Sequence, residues 1–205
     1  MPPEIAGIVL AAGRSSRMGA PKAEALLEGQ PLLTRALHSL GLATERRFVV
    51  VAPGAEEAAR AAGATPDVIV VENPDPDRGM LSSIAVGLAA AGPVWIMVLP
   101  VDCPAVNPAT PALLAGALHD RRPSAAVVPT AQGRDGHPVL LGPDLCRAVI
   151  EADRLGESTS LGALLEAHRD EVVRLAVGDP AVLDNVNTPE DLDALRSRRR
   201  RMGPK

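Results

Sequence analysis

Five short apolar runs, at residues 5–11, 48–52, 68–71, 94–99 and 125–128, alternate with segments whose apolar residues recur at helical spacing. That order is expected of a mainly parallel sheet covered on both faces. Leu32, Leu33, Ala36, Leu37 and Leu40 follow Pro31 and predict an amphipathic helix, since proline is tolerated at a helix start. Further helices are predicted near residues 55–62, 83–91, 109–119, 143–152, 160–168 and 189–200. The turn-forming stretch Gln132-Gly133-Arg134-Asp135-Gly136 separates the last of the five runs from Pro138–Leu141. It points to a hairpin-like, antiparallel excursion, and residues 172–177 supply a final strand.

The chain of 205 residues has no internal repeat and no low-complexity linker. It therefore reads as one α/β domain over residues 1–195, doubly wound and mainly parallel, large enough to bury a full core. Arg196, Arg198, Arg199, Arg200, Arg201 and Lys205 crowd residues 196–205, which contain no acid. They are expected to form a solvated, disordered basic tail.

Phe48 and Trp95 are the only aromatics, so the core must be aliphatic and base stacking on single-stranded nucleic acid is not expected. Two cysteines, Cys103 and Cys146, are too few for a disulfide framework or a zinc cluster, and reduced thiols are the simpler reading. The start of the chain lacks the basic flank of a signal peptide, and no run approaches about 18 apolar residues. A soluble, cytoplasmic monomer or weak oligomer, with neither nucleic acid nor membrane as partner, is the expectation.

The first apolar run ends in LAAGRSSRMGAPK, Leu10 to Lys22. Gly13 and Gly19 permit close backbone approaches, while Arg14, Arg17 and Lys22 add positive charge to the same loop, a chemistry suited to polyphosphate. A glycine-rich turn ending a strand accounts for Gly13 alone but not for the two glycines and the cations together. Five residues separate the glycines and Lys22 follows Ala20-Pro21, so the loop is not a P-loop, and no G-x-G-x-x-G occurs in the chain.

The loop resembles the signature of the MobA-like nucleotidyltransferases, the family that includes molybdenum-cofactor guanylyl- and cytidylyltransferases, written LA(A/G)GxSxRMGxxK. Every fixed position is matched. The resemblance runs from Ile5 to about Leu195 and implies a Rossmann-like, GT-A-type nucleotidyltransferase fold. It further implies that Leu10, Ala11, Ala12, Gly13, Arg14, Gly19 and Lys22 contact a nucleotide, with Arg17 and Lys22 catalytic.

Asp102 follows the run at 94–99 directly, and a carboxylate just past a buried strand is costly unless it meets a cation or hydrogen-bond donors. Its segment PVDCPAV resembles the family's metal-binding D-x-P, which makes Asp102 the expected catalytic Mg²⁺ ligand. In Asp184-Asn-Val-Asn-Thr-Pro-Glu-Asp191, Thr188 is placed to cap a helix beginning at Pro189, with Asp191 at the capping-box position. The segment also resembles the family's (D/N)-x-(D/N)-T-P-E-D. Asn187, ahead of Asn185, is the expected second and neutral ligand of a single ion.

Arg78-Gly79-Met80-Leu81-Ser82-Ser83 precedes a helical run whose free N–H groups suit nucleotide oxygens, with Ser83 as a plain N-cap the competing reading. Gly79, Met80, Ser82 and Ser83 are similar to the GMxxS loop of the cytidylyl branch, and Ala12 points the same way, favouring CTP over GTP. Gly136-His137-Pro138 resembles an acceptor-side G-x-P, placing His137 near a substrate phosphate; a partly exposed histidine opening a strand is the plainer reading.

The activity implied is Mg²⁺-dependent transfer of an NMP to a phosphate acceptor, molybdopterin first, with release of pyrophosphate. GTP-dependent guanylyl transfer and transfer to a sugar or polyol phosphate stand as alternatives. A nucleotide-binding regulator is the non-enzymatic one, and the missing glycine fingerprint argues against a dinucleotide-dependent oxidoreductase.

Overall fold

The computed structural model describes residues 3–15, 18–120 and 125–202. Strand β1 (Ile5–Leu10) leads through the charged loop and a short hairpin, β2 (Leu26–Leu27) and β3 (Gln30–Pro31), into helix α1 (Leu32–Leu40). Next come β4 (Arg46–Val51), α2 (Glu56–Ala61), β5 (Val68–Glu72), α3 (Met80–Ala91) and β6 (Trp95–Pro100). Helix α4 (Ala109–Asp120) precedes β7 (Ala126–Ala131), β8 (Arg134–Asp135) and β9 (Val139–Leu141). The chain closes with α5 (Pro143–Arg154), α6 (Leu161–Ala167), β10 (Val172–Ala176) and α7 (Pro189–Met202).

The main sheet runs β10-β7-β9-β6-β1-β4-β5, with β8 beside β7. All its pairings are parallel except those of β9 with β6 and β7 and that of β8 with β7. The expected antiparallel excursion is therefore present: Gln132 and Gly133 both take positive φ, the geometry of a two-residue hairpin turn, and β9 returns between β7 and β6.

Side chains alternate across β1 into two cores. Ile5 and Val9 join α1, α2, α4 and α7 on one face, while Ala6, Ile8 and Leu10 join α3, α5 and α6 on the other. Both faces of β1 are thereby buried, which fixes its carboxyl end rigidly at the centre of the sheet. The ends of β1 and β6 lie side by side, with Leu10 in register with Pro100, so the loops leaving them must share one edge.

The helix predicted near 189–200 takes up residues 196–202 as part of α7, and three of its arginines have partners. Arg196 donates to Leu26 O at 2.5 Å, Arg198 pairs with Asp184 at 2.9 Å and Arg199 with Glu28 at 3.0 Å. Lys205 lies outside the described residues. Among the described residues no helix is long and apolar enough to cross a membrane.

Candidate functional site

The loop after β1 is closed by its own hydroxyl. Ser15, at φ 49°, accepts the Lys22 backbone N–H on Oγ at 3.0 Å, and its carbonyl accepts from Met18 at 2.9 Å. A left-handed serine is uncommon and is held here by the loop it closes. Gly13 has an ordinary φ, and a Cβ there would meet no protein atom within 4 Å, so its missing side chain keeps space open for something other than protein. Arg14, largely exposed, makes a bidentate pair with Asp77 and holds the carboxyl below its usual range.

Asp102 sits in the turn that ends β6, where Cys103 N donates to Pro100 O at 3.0 Å. Its carbonyl accepts from Val186 N at 2.8 Å, which pins the 184–187 segment against it. The start of α7 is the capping box predicted: Thr188 Oγ1 accepts from Asp191 N at 3.2 Å, and Asp191 Oδ2 accepts from both Asn187 N and Thr188 N at 2.9 Å. With its backbone held this way, Asn187 directs its Oδ1 at Lys22 Nζ, 2.8 Å away, and the same Nζ lies 3.2 Å from Asp102 Oδ2. Asn185 is turned elsewhere and accepts from Cys103 Sγ at 3.1 Å. Burial raises the Cys103 thiol well above its ordinary value, and the Asp102 carboxylate adds to the effect, so it is a packed donor and not a nucleophile.

The third wall is the start of α3. Its N-cap is Gly79, at φ 96°, which makes no side-chain hydrogen bond to the first turn. Ser83 is thus not the N-cap; the helix begins at Met80 and Ser83 lies inside its first turn, because glycine supplies the left-handed entry that serine resists. The N–H groups of that turn are left without a side-chain cap at a helix N-terminus, the arrangement that receives anions. Ser82 Oγ donates to Gly79 O at 2.8 Å and shapes the turn from beneath.

These three walls enclose a cavity of about 350 Å³. Leu10, Ala11, Ala12, Gly13, Arg14, Lys22, Gly79, Met80, Ser83, Asp102 and Asn187 all line it, so most of the residues named from sequence converge on one space. Ser82, buried, and Gly19 do not line it, and Arg17 lies outside the described residues. Ser15 and Pro76 line it without having been foreseen; the serine of the loop signature was the available signal for the first. Asn73, which fastens this wall, was also missed.

His137 is off the cavity lining. Burial lowers its pKa from the ordinary 6.5 while Asp102 pulls the other way, and its Nδ1 is buried with no hydrogen-bond partner among the described residues.

Asp102 Oδ2 and Asn187 Oδ1 are hard oxygens converging on one ammonium. A small divalent ion that keeps several waters and takes the rest of its ligands from phosphate suits such a sparse donor pair. Among the described residues no group of three or more His, Cys, Asp or Glu forms a larger metal cluster.

Residues 7–172 match the MobA-like NTP transferase domain. The molybdenum cofactor guanylyltransferase of Rhizobium leguminosarum bv. trifolii (strain WSM2304) is 35% identical, over 92% of this chain and 90% of that protein. Among solved structures, Rv0371c of Mycobacterium tuberculosis H37Rv superposes with a TM-score of 0.78 at 29% identity, covering 95% of this chain and 98% of that one. The same protein solved in complex with manganese gives a TM-score of 0.75 at 28% identity, covering 96% and 100%.

Proposed function

Because the chain belongs to the MobA-like NTP transferase family and is a nucleotidyltransferase of that type, we propose that it moves GMP from GTP onto the terminal phosphate of molybdopterin and releases pyrophosphate. The name of the guanylyltransferase relative supports GTP as the donor and molybdopterin as the acceptor. The observation that carries the reading is Lys22 held between Asp102 and Asn187 on the wall of a cavity that the charged loop also lines.

In this mechanism an acceptor phosphate oxygen attacks the α-phosphorus in line, forming a new P–O bond as the bond to the β-phosphate breaks and pyrophosphate leaves. A phosphate monoester is already ionised near neutral pH, so no general base is required. Asp102 and Asn187 would hold a divalent cation, magnesium first, whose chemistry is to neutralise and polarise phosphate oxygens. Lys22 and Arg17 hold the β- and γ-phosphates, Arg14 meets the phosphate chain, and the first turn of α3 receives nucleotide oxygens. His137 is assigned to the acceptor side on its buried Nδ1, which has no partner among the described residues. The site of action is cytoplasmic.

Transfer from CTP is the second reading, favoured by Ala12, which lines the cavity, and by the sequence of the Gly79–Ser83 turn. A thermal-shift panel of the four NTPs with Mg²⁺ or Mn²⁺, followed by pyrophosphate release with molybdopterin, decides between them. A ligand at 100 times its Kd adds about 2.7 kcal/mol, or roughly 5 to 11 °C for a chain of this size. GTP as the strongest stabiliser and the donor in turnover is the expected result. CTP in that place moves the reading to cytidylyl transfer, and no shift with any NTP together with no pyrophosphate overturns it.

A further inference from the structure

Asn73 immediately follows β5 and is only 2% exposed, a polar side chain inside the wall between the sheet and α3. Its hydrogen bonds fix which end of the amide is which. The backbone N–H of Asp75 donates to one terminal atom at 3.0 Å, and a backbone N–H can only donate, so that atom is the carbonyl oxygen Oδ1. The nitrogen Nδ2 therefore faces the two serines, at 3.0 Å from Ser82 Oγ and 3.0 Å from Ser83 Oγ. An amide nitrogen has two protons and no lone pair to offer, so both serine oxygens act as acceptors.

The two hydroxyl protons then have different fates. Ser82 sends its proton to Gly79 O. Ser83 lines the cavity, and among the described residues nothing accepts its proton. Asn73 thus leaves one hydroxyl proton on this wall without a protein partner, beside helix N–H groups that are also uncapped.

We propose that Asn73 is a positioning residue of the nucleotide site: by occupying the Ser83 oxygen as an acceptor, it obliges Ser83 to present a proton, and not a lone pair, to the oxygens of a bound nucleotide. This rests on the nucleotidyl-transfer reading above. Asn73 does not line the cavity, so it acts through Ser83. Asparagine matters here for its hydrogen-bond polarity. An aspartate of the same shape would still accept from Asp75 N, but its second oxygen would take the protons of Ser82 and Ser83, and Ser83 would then turn a lone pair toward an anionic ligand.

The test is a double-mutant cycle on GTP affinity, measured by calorimetry with Mg²⁺ on the full chain, with thermal unfolding alongside. Ser83→Ala removes one donor to a charged ligand and is expected to weaken GTP binding about tenfold. Asn73→Asp is expected to weaken it by at least about tenfold and to lower Tm, because the carboxylate is buried and the one Ser82 proton cannot serve both it and Gly79 O. The decisive expectation is the coupling: in the Asn73→Asp background, Ser83→Ala costs under about twofold, since that proton is already spent on the aspartate. In turnover the losses fall on KM for GTP while kcat is retained.

Wild-type affinity in Asn73→Asp, or an equal cost of Ser83→Ala in both backgrounds, overturns the inference. If Asn73→Asp does not fold, Ser83→Ala alone decides, and unchanged GTP affinity overturns it. A wild-type chain that binds neither GTP nor CTP overturns the transfer reading and this inference with it, whereas wild-type binding without coupling overturns this inference only.

Discussion

Lys22 and Asp102, 80 positions apart in sequence, meet as an ion pair with Nζ 3.2 Å from Oδ2 and side chains only 16% and 22% exposed. Such shielding makes the charges act more strongly than they would on the open surface. Lys22→Ala and Asp102→Ala are each expected to lower turnover about 10²- to 10³-fold, the scale for removing one preorganised electrostatic group. Pyrophosphate release measures the loss, and circular dichroism should report an unchanged fold. Wild-type turnover in both variants would remove the catalytic assignment.

The ammonium of Lys22 occupies the point on which the Asp102 and Asn187 oxygens converge. A divalent ion approaching the ligand-free chain must displace a like charge. Lys22→Ala should therefore bind free Mn²⁺ several-fold more tightly than wild type in the absence of nucleotide, read by electron paramagnetic resonance. Equal or weaker binding would show that the two oxygens do not form the cation site.

Asp77 pairs its negative charge with Arg14, which lines the cavity, and so ties it up. Replacing it by asparagine frees that guanidinium for phosphate. Since both partners are largely solvent-exposed, the expected gain is small: KM for the NTP falls about two- to fivefold at low ionic strength and less as salt is raised. A rise in KM would mean that the pair orders the loop productively.

Gly136 has no room for a side chain. A Cβ would lie 2.6 Å from the carbonyl oxygen of Val182 and 2.8 Å from its side chain, so backbone has to move. Val182 ends two residues before Asp184, on the segment that delivers Asn187. Gly136→Ala should cost about 1–3 kcal/mol in denaturant unfolding and reduce turnover as well. Turnover retained at full stability would show that the segment absorbs the shift.

His137 is kept neutral by burial, its pKa held below the ordinary 6.5. The unfolded chain takes up that proton as pH falls through 6.5 and the folded chain does not, so folding stability drops with falling pH from 6.5 toward the lower folded value. Glu28, Asp67, Asp77 and Glu151 are lowered by arginine partners or, for Asp67, first by the Thr65 hydroxyl, and lose their contributions only as pH falls below their ordinary 3.8–4.5. Unfolding at pH 7.5 and 5.5 should show a decline that His137→Gln removes. The same decline in the variant would trace it to another group.

The elements of this fold were readable because each apolar run was long enough to show a period and was bounded by turn residues. The β2–β3 hairpin was not, since two-residue strands have no period; only Glu28-Gly29, both at positive φ, hints at it. Ser83 was open to reading as an N-cap because serine favours that place, yet Gly79 took it by adopting a φ that serine tolerates poorly. The cavity was legible through Lys22, Asp102 and Asn187, whose motifs follow strand ends or open a helix. Asn73 was not, because a lone polar residue carries no local pattern and its role depends on serines that only the fold brings to it. The partners of the α7 arginines were hidden for the same reason: Leu26, Glu28 and Asp184 meet them only after folding.

Lys22, Asp102 and Asn187 come from the early, middle and late thirds of the polypeptide, and their heads meet at one point. A ribosome-tethered intermediate that has not yet exposed residue 187 can pair lysine with aspartate but has no third group to complete the trio. Competence thus waits on the segment around residue 187, and turnover doubles as a stringent reporter that this segment has docked.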